Sequence, residues 1–574
     1  MRILLVVPNI ATRNGLHYPH GLGALAAGLA AAGHEPVVSL PQEMLTRESW
    51  RLELRAAAPD WLACGFSSHQ WPFARQLMAW AREAGVPVLA GGVHATFAPE
   101  EILAAAVCDG VCVGEGEGAL LDLAGGKPLT AIANVQTGTD RPALRPLLTD
   151  LDALPIYDRR HFPMAEILRV NGGELTALAG RGCPYPCTYC CNEGWRRLYS
   201  GEPWVRWRSV SHLLAELDCL CGRYAVDSLY FEDDIFTLNR EFLEEFLREF
   251  PSRFALPFRV YARIGAISRD DLRRLRAAGL WMVNVGVEHG DPRIRAEVLG
   301  RQMSNAQITE FFDWCRELGI VTRAFHILGV PGETPETAQA TRDLCAATLP
   351  DQIQVSLFEP YPGTKLAERC RVEKLHRGVA RPTYFSAEPA LELPGFPSDR
   401  QRETYRAFCA AIPELEERAL RRALAAARRG EVDLVERWAP ELVRRTGAEP
   451  VVPQRARIGR ETKFALFAHP RSEIAYELPP GRYRFFAALA LDPRCYEWDG
   501  HGVRFLVRAG DETCLDRALN PWRRVEDRGW HEVAADFRLA EKGSLRLLTA
   551  PESGDDLTAL WALWGHPHLT RSDG

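Results

Sequence analysis

No stretch of this sequence is long and apolar enough to cross a bilayer. The softest run, GLGALAAGLAAAG (21–33), is short, rich in alanine and glycine and flanked by histidines, and it reads as a packed helix. The opening MRILLVVPN lacks the positive-then-apolar layout of a leader and reads as a buried strand. Neither sign of charge dominates: 69 Lys and Arg stand against 75 Asp and Glu, a formal net charge of −6 over 574 residues. A general nucleic-acid binder carries a basic excess, so that partner is not expected, and no membrane partner is expected either. The expected location is cytoplasmic, where thiols stay reduced. The fifteen cysteines are odd in number and mostly scattered singly. They do not form a disulfide framework on this reading, and the isolated ones read as small core residues.

The chain is too long for one core, so two to four domains are expected. Residues 1–125 alternate short apolar runs with helical stretches: RILLVVPN, HEPVVSL, WLACGFSS, VPVLAGGVH and GVCVGEGEG. Five such units predict a parallel, doubly wound α/β sheet, whose ligands bind where the strands end. Those ends carry Ser67, Ser68, Gly91, Gly92, Gly114, Glu115 and Gly116. Residues 126–172 are rich in Pro, Thr and Asp and read as a linker. From 173 to 370 six further β/α units follow, the length of a full or partial β/α barrel with its chemistry at the strand ends. Residues 371–450 read as a helical extension. In 451–574 short strands are separated by turn residues, which predicts a β-sandwich of jelly-roll type.

GRGCPYPCTYCCNEGW (180–195) places four cysteines in nine residues, just after the first barrel strand. Cys183, Cys187 and Cys190 have the spacing C-x3-C-x2-C. Three thiolates on one loop suit three irons of a [4Fe–4S] cube and leave the fourth iron open. A structural zinc site needs four ligands, and Cys191 is the available fourth. Adjacent cysteines in an extended chain point apart, which disfavours zinc without removing it.

This loop, with an aromatic at Tyr189, resembles that of the radical S-adenosylmethionine (SAM) enzymes. YFEDDIF (230–236), GVEHGDPRIRAEVLGR (286–301), GVPGET (329–334) and EPYPGT (359–364) are similar to that family's later strand-end motifs. The resemblance implies a [4Fe–4S] cluster on Cys183, Cys187 and Cys190, and SAM held by Tyr189, Asp233, Asp234, Glu288 and Arg301. Asp233 is the first choice for the SAM amino group and Asp234 the second. His289 and His326 read as structural barrel residues.

PHGLGALAAGLAAAGHEPVV, GGVHAT and GEGEGALLDL resemble the cobalamin-binding domain that precedes this barrel in one branch of the family. The strand-end residues from Ser67 to Gly116 would line the cobalamin. A dinucleotide is disfavoured, because Glu115 and Glu117 would face its pyrophosphate. The Asp-x-His-x-x-Gly loop that ligates cobalt from below is absent; its nearest imitation puts Tyr18 where the Asp would be, so His20 is not expected to be a ligand.

The resemblance implies a cobalamin-dependent radical SAM enzyme. A methyltransferase acting on an unactivated carbon through a 5′-deoxyadenosyl radical is the leading expectation. A non-methylating cyclisation or rearrangement is the first rival, and a non-catalytic cobalamin or redox sensor the second. The expected partners are a small-molecule or peptide substrate and an external electron donor of flavodoxin or ferredoxin type. Trp522, Trp530, Trp561 and Trp564 give the last segment a resemblance to carbohydrate-binding sandwiches, which makes it a docking module or a purely structural one.

Overall fold

Strand β1 (Arg2–Val6) buries Ile3 through Val6 and lies inside the first sheet, between the edge strand β2 (Glu35–Ser39) and β3 (Trp61–Gly65). With β4 (Val88–Gly91) and β5 (Gly110–Cys112) these strands run parallel in the order β2-β1-β3-β4-β5. The order reverses beside β1, which opens a crevice at the carboxyl ends of β1, β3 and β4. The helix His20–Ala31 packs there through Ala24, Ala26 and Ala27, whose small side chains allow a close approach. The doubly wound sheet expected from the sequence is present. The stretch read as a linker contributes more than a connection: β6 (Val135–Gln136) adds an antiparallel edge strand, and Met164–Val170 is helical. Both β6 residues, Val135 and the polar Gln136, are buried, and a strand of two residues is too short to show a period.

The structure is a computed structural model. It describes residues 1–10, 16–156, 159–379, 381, 383–426, 432–445, 449–459, 461–496, 502–552 and 560–571.

The second sheet begins with β7 (Glu174–Ala177). A small hairpin, β8 (Gly180–Arg181) with β9 (Arg206–Trp207), brackets the cysteine loop. Then come β10 (Ser228–Phe231), β11 (Phe258–Ala262), β12 (Leu280–Glu288), β13 (Val321–Leu328) and β14 (Gln352–Leu357). These five and β7 form one parallel sheet in sequence order, the six-stranded partial barrel expected. Burial alternates along β11, β13 and β14, the two-residue period of strands with one face against helices. Phe231, Phe236, Phe246, Phe250 and Phe258 form the aromatic core under β10 and β11.

By contacts the chain divides into Met1–Ile412 and Pro413–Gly574, so the first two sheets belong to one compact unit. The helix Ser398–Ala426 spans the division. The second unit is an antiparallel β-sandwich. One sheet runs Val452–Ile458, Glu461–Ala468, Ala562–Arg571, Gly481–Leu491, His531–Leu539; the other is built on Glu473–Leu478, Gly543–Pro551 and Val503–Ala509. Val432–Asp433 and Val443–Arg445 also pair into these sheets, so the sandwich starts earlier than the sequence suggested. Trp564 is fully buried in its core, and Trp522 Nε1 donates to the Cys495 carbonyl at 2.7 Å. Trp530 packs flat enough on Gly565 that a Cβ there would lie 2.6 Å from its ring. These three tryptophans therefore serve packing.

Candidate functional site

The cysteine loop is docked rather than free. Thr188 donates from its backbone N–H to Leu299 O at 3.2 Å and from Oγ1 to Val298 O at 2.5 Å. Gly300, at φ +68°, lets the two segments meet: a Cβ there would sit 3.0 Å from Pro186 O. The two sulfurs nearest polar neighbours accept hydrogen bonds, Cys187 Sγ from Arg263 Nη1 at 3.7 Å and Cys190 Sγ from Asn192 Nδ2 at 3.8 Å. Cys190 is extended, and Cys191 opens the helix Cys191–Leu198. The influence of each thiol on the other holds Cys190 below its ordinary value and Cys191 well above it. Among the described residues no three His, Cys, Asp or Glu side chains are arranged around a single ion.

Behind the loop, Tyr189, Glu288 and Arg301 meet. Arg301 Nη1 donates to the Tyr189 hydroxyl at 3.2 Å and lies 3.5 Å from Glu288 Oε1, while Nη2 donates to Gly286 O at 2.7 Å. Glu288 holds φ +67°, a left-handed conformation unusual for a side-chain-bearing residue at a strand end. Burial raises its carboxyl above the ordinary range, opposed by Arg301.

The two aspartates of YFEDDIF part company. Asp233 is buried, and its carboxylate accepts the Ala179 N–H at 3.0 Å and the Gly180 N–H at 2.6 Å. It pins the turn between β7 and β8 and does not line the cavity. Asp234 and Glu232 do line it, and Asp234 Oδ1 accepts Asn192 Nδ2 at 2.8 Å. Asp233, the first choice for the SAM amino group, thus lies off the cavity and Asp234, the second, on it: successive residues alternate sides, and the middle one faces the backbone.

The cavity measures about 630 Å³ and lies between the first sheet and the cysteine loop. Gly91, Gly92, Gly114, Glu115 and Gly116 line it from the first sheet; Cys191 and Asn192 line it from the loop. Ser67 and Ser68 are engaged elsewhere, Ser67 N–H with Gln70 Oε1 at 2.9 Å and Ser68 Oγ with His94 Nδ1 at 3.0 Å. Gly92 has φ +94°, and a Cβ there would lie 2.7 Å from Phe66 N, so the strand crossing itself demands glycine. At Gly91 the nearest neighbour of a Cβ is 3.8 Å away, ordinary contact.

In sequence Glu115 and Glu117 stand as charges that would repel a pyrophosphate, with Glu115 also among the residues expected to line cobalamin. Arg206 in fact clasps Glu115 with Nη1–Oε2 3.1 Å and Nη2–Oε1 2.5 Å, and Arg181 reaches Glu115 at 3.1 Å and Glu117 at 2.6 Å. Both arginines stand on the β8–β9 hairpin, so the two sheets are latched at the cavity mouth. Trp195 and Trp204, also unforeseen, line the cavity with rings nearly parallel, 5.5 Å between centroids at 6°. His20 is buried with Nε2 3.3 Å from Glu232 Oε2, and burial lowers its pKa against the pull of that carboxylate. His289 is a satisfied structural residue, with Nε2 2.9 Å from Glu333 Oε1. His326 is buried too, and burial lowers its pKa to about 3.

The residues fit three groups. Three thiols on one docked loop, with a buried guanidinium aimed at one of them, suit an anionic iron–sulfur cluster. Tyr189, Glu288 and Arg301 form a preorganised polar patch beside it. The crevice, walled by Ala63, Gly65, Ala90 and Gly91, admits close approach of a large ligand to backbone.

A glycine-ended α/β sheet facing a six-stranded β/α sheet across a three-cysteine loop is the architecture of cobalamin-dependent radical SAM enzymes. Residues 178–345 match the radical SAM superfamily and residues 6–124 the B12 binding domain, and the chain belongs to that superfamily with an N-terminal B12-binding domain. Its cofactors are a [4Fe–4S] cluster, SAM and cobalamin. The chain is 28% identical over 325 residues to an uncharacterized methyltransferase of Pyrococcus horikoshii, covering 54% of this chain and 69% of the relative. It is 24% identical to the anaerobic magnesium-protoporphyrin IX monomethyl ester cyclase of Rubrivivax gelatinosus, over 64% of this chain and 69% of the relative. Among solved structures, the radical SAM methyltransferase TsrM from Kitasatospora setae, with cobalamin and [4Fe–4S] cluster bound, superposes with a TM-score of 0.57. Its identity is 20%, over 72% of this chain and 89% of that one. At this identity the likeness is one of fold. No helix of the described residues is long and apolar enough to cross a membrane.

Proposed function

We propose that this cobalamin-dependent radical SAM enzyme is a methyltransferase acting on an unactivated carbon. The observation that carries the reading is the single cavity of about 630 Å³ shared by the glycine strand ends and the cysteine loop. Bound there, the cluster and SAM supply one-electron reductive chemistry and cobalamin supplies a transferable methyl group. Cys183, Cys187 and Cys190 ligate the cluster. Tyr189, Glu288 and Arg301 orient SAM, and Asp234, with Glu232 beside it, takes the SAM ammonium group. Gly91, Gly92, Gly114 and Gly116 admit the corrin. Glu115, held by Arg206 and Arg181, fixes the distance between the two halves of the site, which is the protein's part in bringing reacting atoms together. An external one-electron donor supplies the reductant, and the substrate is a small molecule or peptide. The β-sandwich is read as a docking module.

The named relatives include a cyclase, so the test must separate the two chemistries. Anaerobic holoenzyme with reductant, a small-molecule extract and SAM bearing a deuterated methyl group is analysed by mass spectrometry. A product carrying the labelled methyl is expected. Formation of 5′-deoxyadenosine with no labelled product would instead favour the non-methylating reading.

A further inference from the structure

Arg263 follows β11 and is buried, with 6% of its surface exposed. A guanidinium in that position needs a counter-charge. Among the described residues it forms no ion pair with a carboxylate. The one hydrogen bond its side chain makes among them runs from Nη1 to Cys187 Sγ at 3.7 Å, within reach of a large sulfur acceptor. Its planar face lies 3.9 Å over the Tyr185 ring. Both contacts come from the Cys-Pro-Tyr-Pro-Cys segment, so the loop that carries the thiols also fixes the arginine's direction. A lysine could not reproduce this, because it lacks the planar fork that stacks and donates together.

We infer that Arg263 is the counter-charge of the bound cluster at Cys187 and that it raises the cluster's reduction potential. This rests on the reading that Cys187 is a cluster ligand. Reduction adds one electron from an external reductant and makes or breaks no bond of the protein. A fixed cation beside a ligating sulfur favours the more negative, reduced state, and a hydrogen bond to that sulfur acts in the same direction. Arg263 stands at the end of β11, the kind of address at which β/α sheets place their chemistry.

The test is an electron-paramagnetic-resonance redox titration of the anaerobically reconstituted full chain with dithionite and no SAM, so that a SAM contact cannot contribute. Iron content of the wild type checks the underlying ligand reading before any variant is measured. Arg263→Gln is expected to keep its iron and to titrate at a more negative potential than wild type, with Arg263→Lys between the two. An unchanged midpoint in Arg263→Gln at full iron content would overturn the proposal. Loss of iron from both variants would overturn it as well, by making Arg263 a folding residue of the loop.

Discussion

Asp233 accepts the Ala179 N–H on both carboxylate oxygens, at 3.0 and 3.1 Å, and so ties the end of the β10 strand to the chain that leads into the cysteine loop. The adjacent Asp234 reaches the cavity instead. Their substitutions should therefore fail differently. Asp233→Ala leaves two buried N–H groups unpaired and should cost about 2–4 kcal/mol, with thermal midpoint and iron content falling together. Asp234→Ala should keep both and weaken SAM binding. Calorimetry, iron assay and SAM titration on the two proteins decide; equal thermal losses would refute the division of roles.

Burial outweighs the backbone donors and raises the Asp233 carboxyl to about 7 from an ordinary value of 3.8. The sign follows from linkage: between those values the unfolded chain has ionised this group while the folded chain still holds the proton. Its contribution to stability is full below about pH 4, declines as pH rises toward 7, and is level beyond. Asp233→Asn removes the ionisation and should flatten that part of the denaturation midpoint against pH. A wild-type slope that persists in the variant would assign it to another group.

Much of the fold was legible because periodicity is local. The five short apolar runs of the first sheet, the six β/α units and the strand-only tail each carry their own pattern, and β1 through β5, β7 and β10 through β14 follow it; the two-residue strands β8 and β9 carry none. What escaped was set by tertiary contact. Asp233 and Asp234 are indistinguishable in sequence, and only the turn at Ala179–Gly180 decides which one faces inward. The edge strand Val135–Gln136 is too short to show a period. Glu115 and Glu117 looked like an obstacle to anions because their partners, Arg181 and Arg206, lie far along the chain. Arg263 could have been found by the strand-end rule, since it is the first residue after the apolar run Phe258–Ala262.

Cys191 opens the helix that follows the cysteine loop and lines the cavity. A thiol outside the ligand set can be replaced without opening the cluster, whereas a ligand cannot. Combined replacement of Cys183, Cys187 and Cys190 by Ala should abolish the iron and sulfide of reconstituted protein, normally about four of each. Cys191→Ala should retain nearly all of it. Stoichiometric zinc in protein purified without oxygen, or loss of iron on changing Cys191, would overturn the ligand set.

Cobalamin binding can be separated from folding by choosing the glycine. Gly92→Val drives a Cβ to within 2.7 Å of Phe66 backbone and should destabilise the whole first sheet, so it cannot report on the ligand alone. Gly21 also lines the cavity, on the first turn of the helix His20–Ala31, and a Cβ there meets nothing within 4 Å. Gly21→Trp should fold with an unchanged thermal midpoint and full iron, yet bind cobalamin at least tenfold more weakly, because the indole takes up space the corrin needs. His20→Ala, in contrast, should retain cobalamin: both ring nitrogens of His20 are buried, one of them against Glu232. Electron paramagnetic resonance of the cob(II)alamin form should accordingly show no splitting from a protein nitrogen. A splitting that disappears in His20→Ala would make His20 the lower ligand after all. Undiminished cobalamin binding by Gly21→Trp would move the corrin out of this cavity.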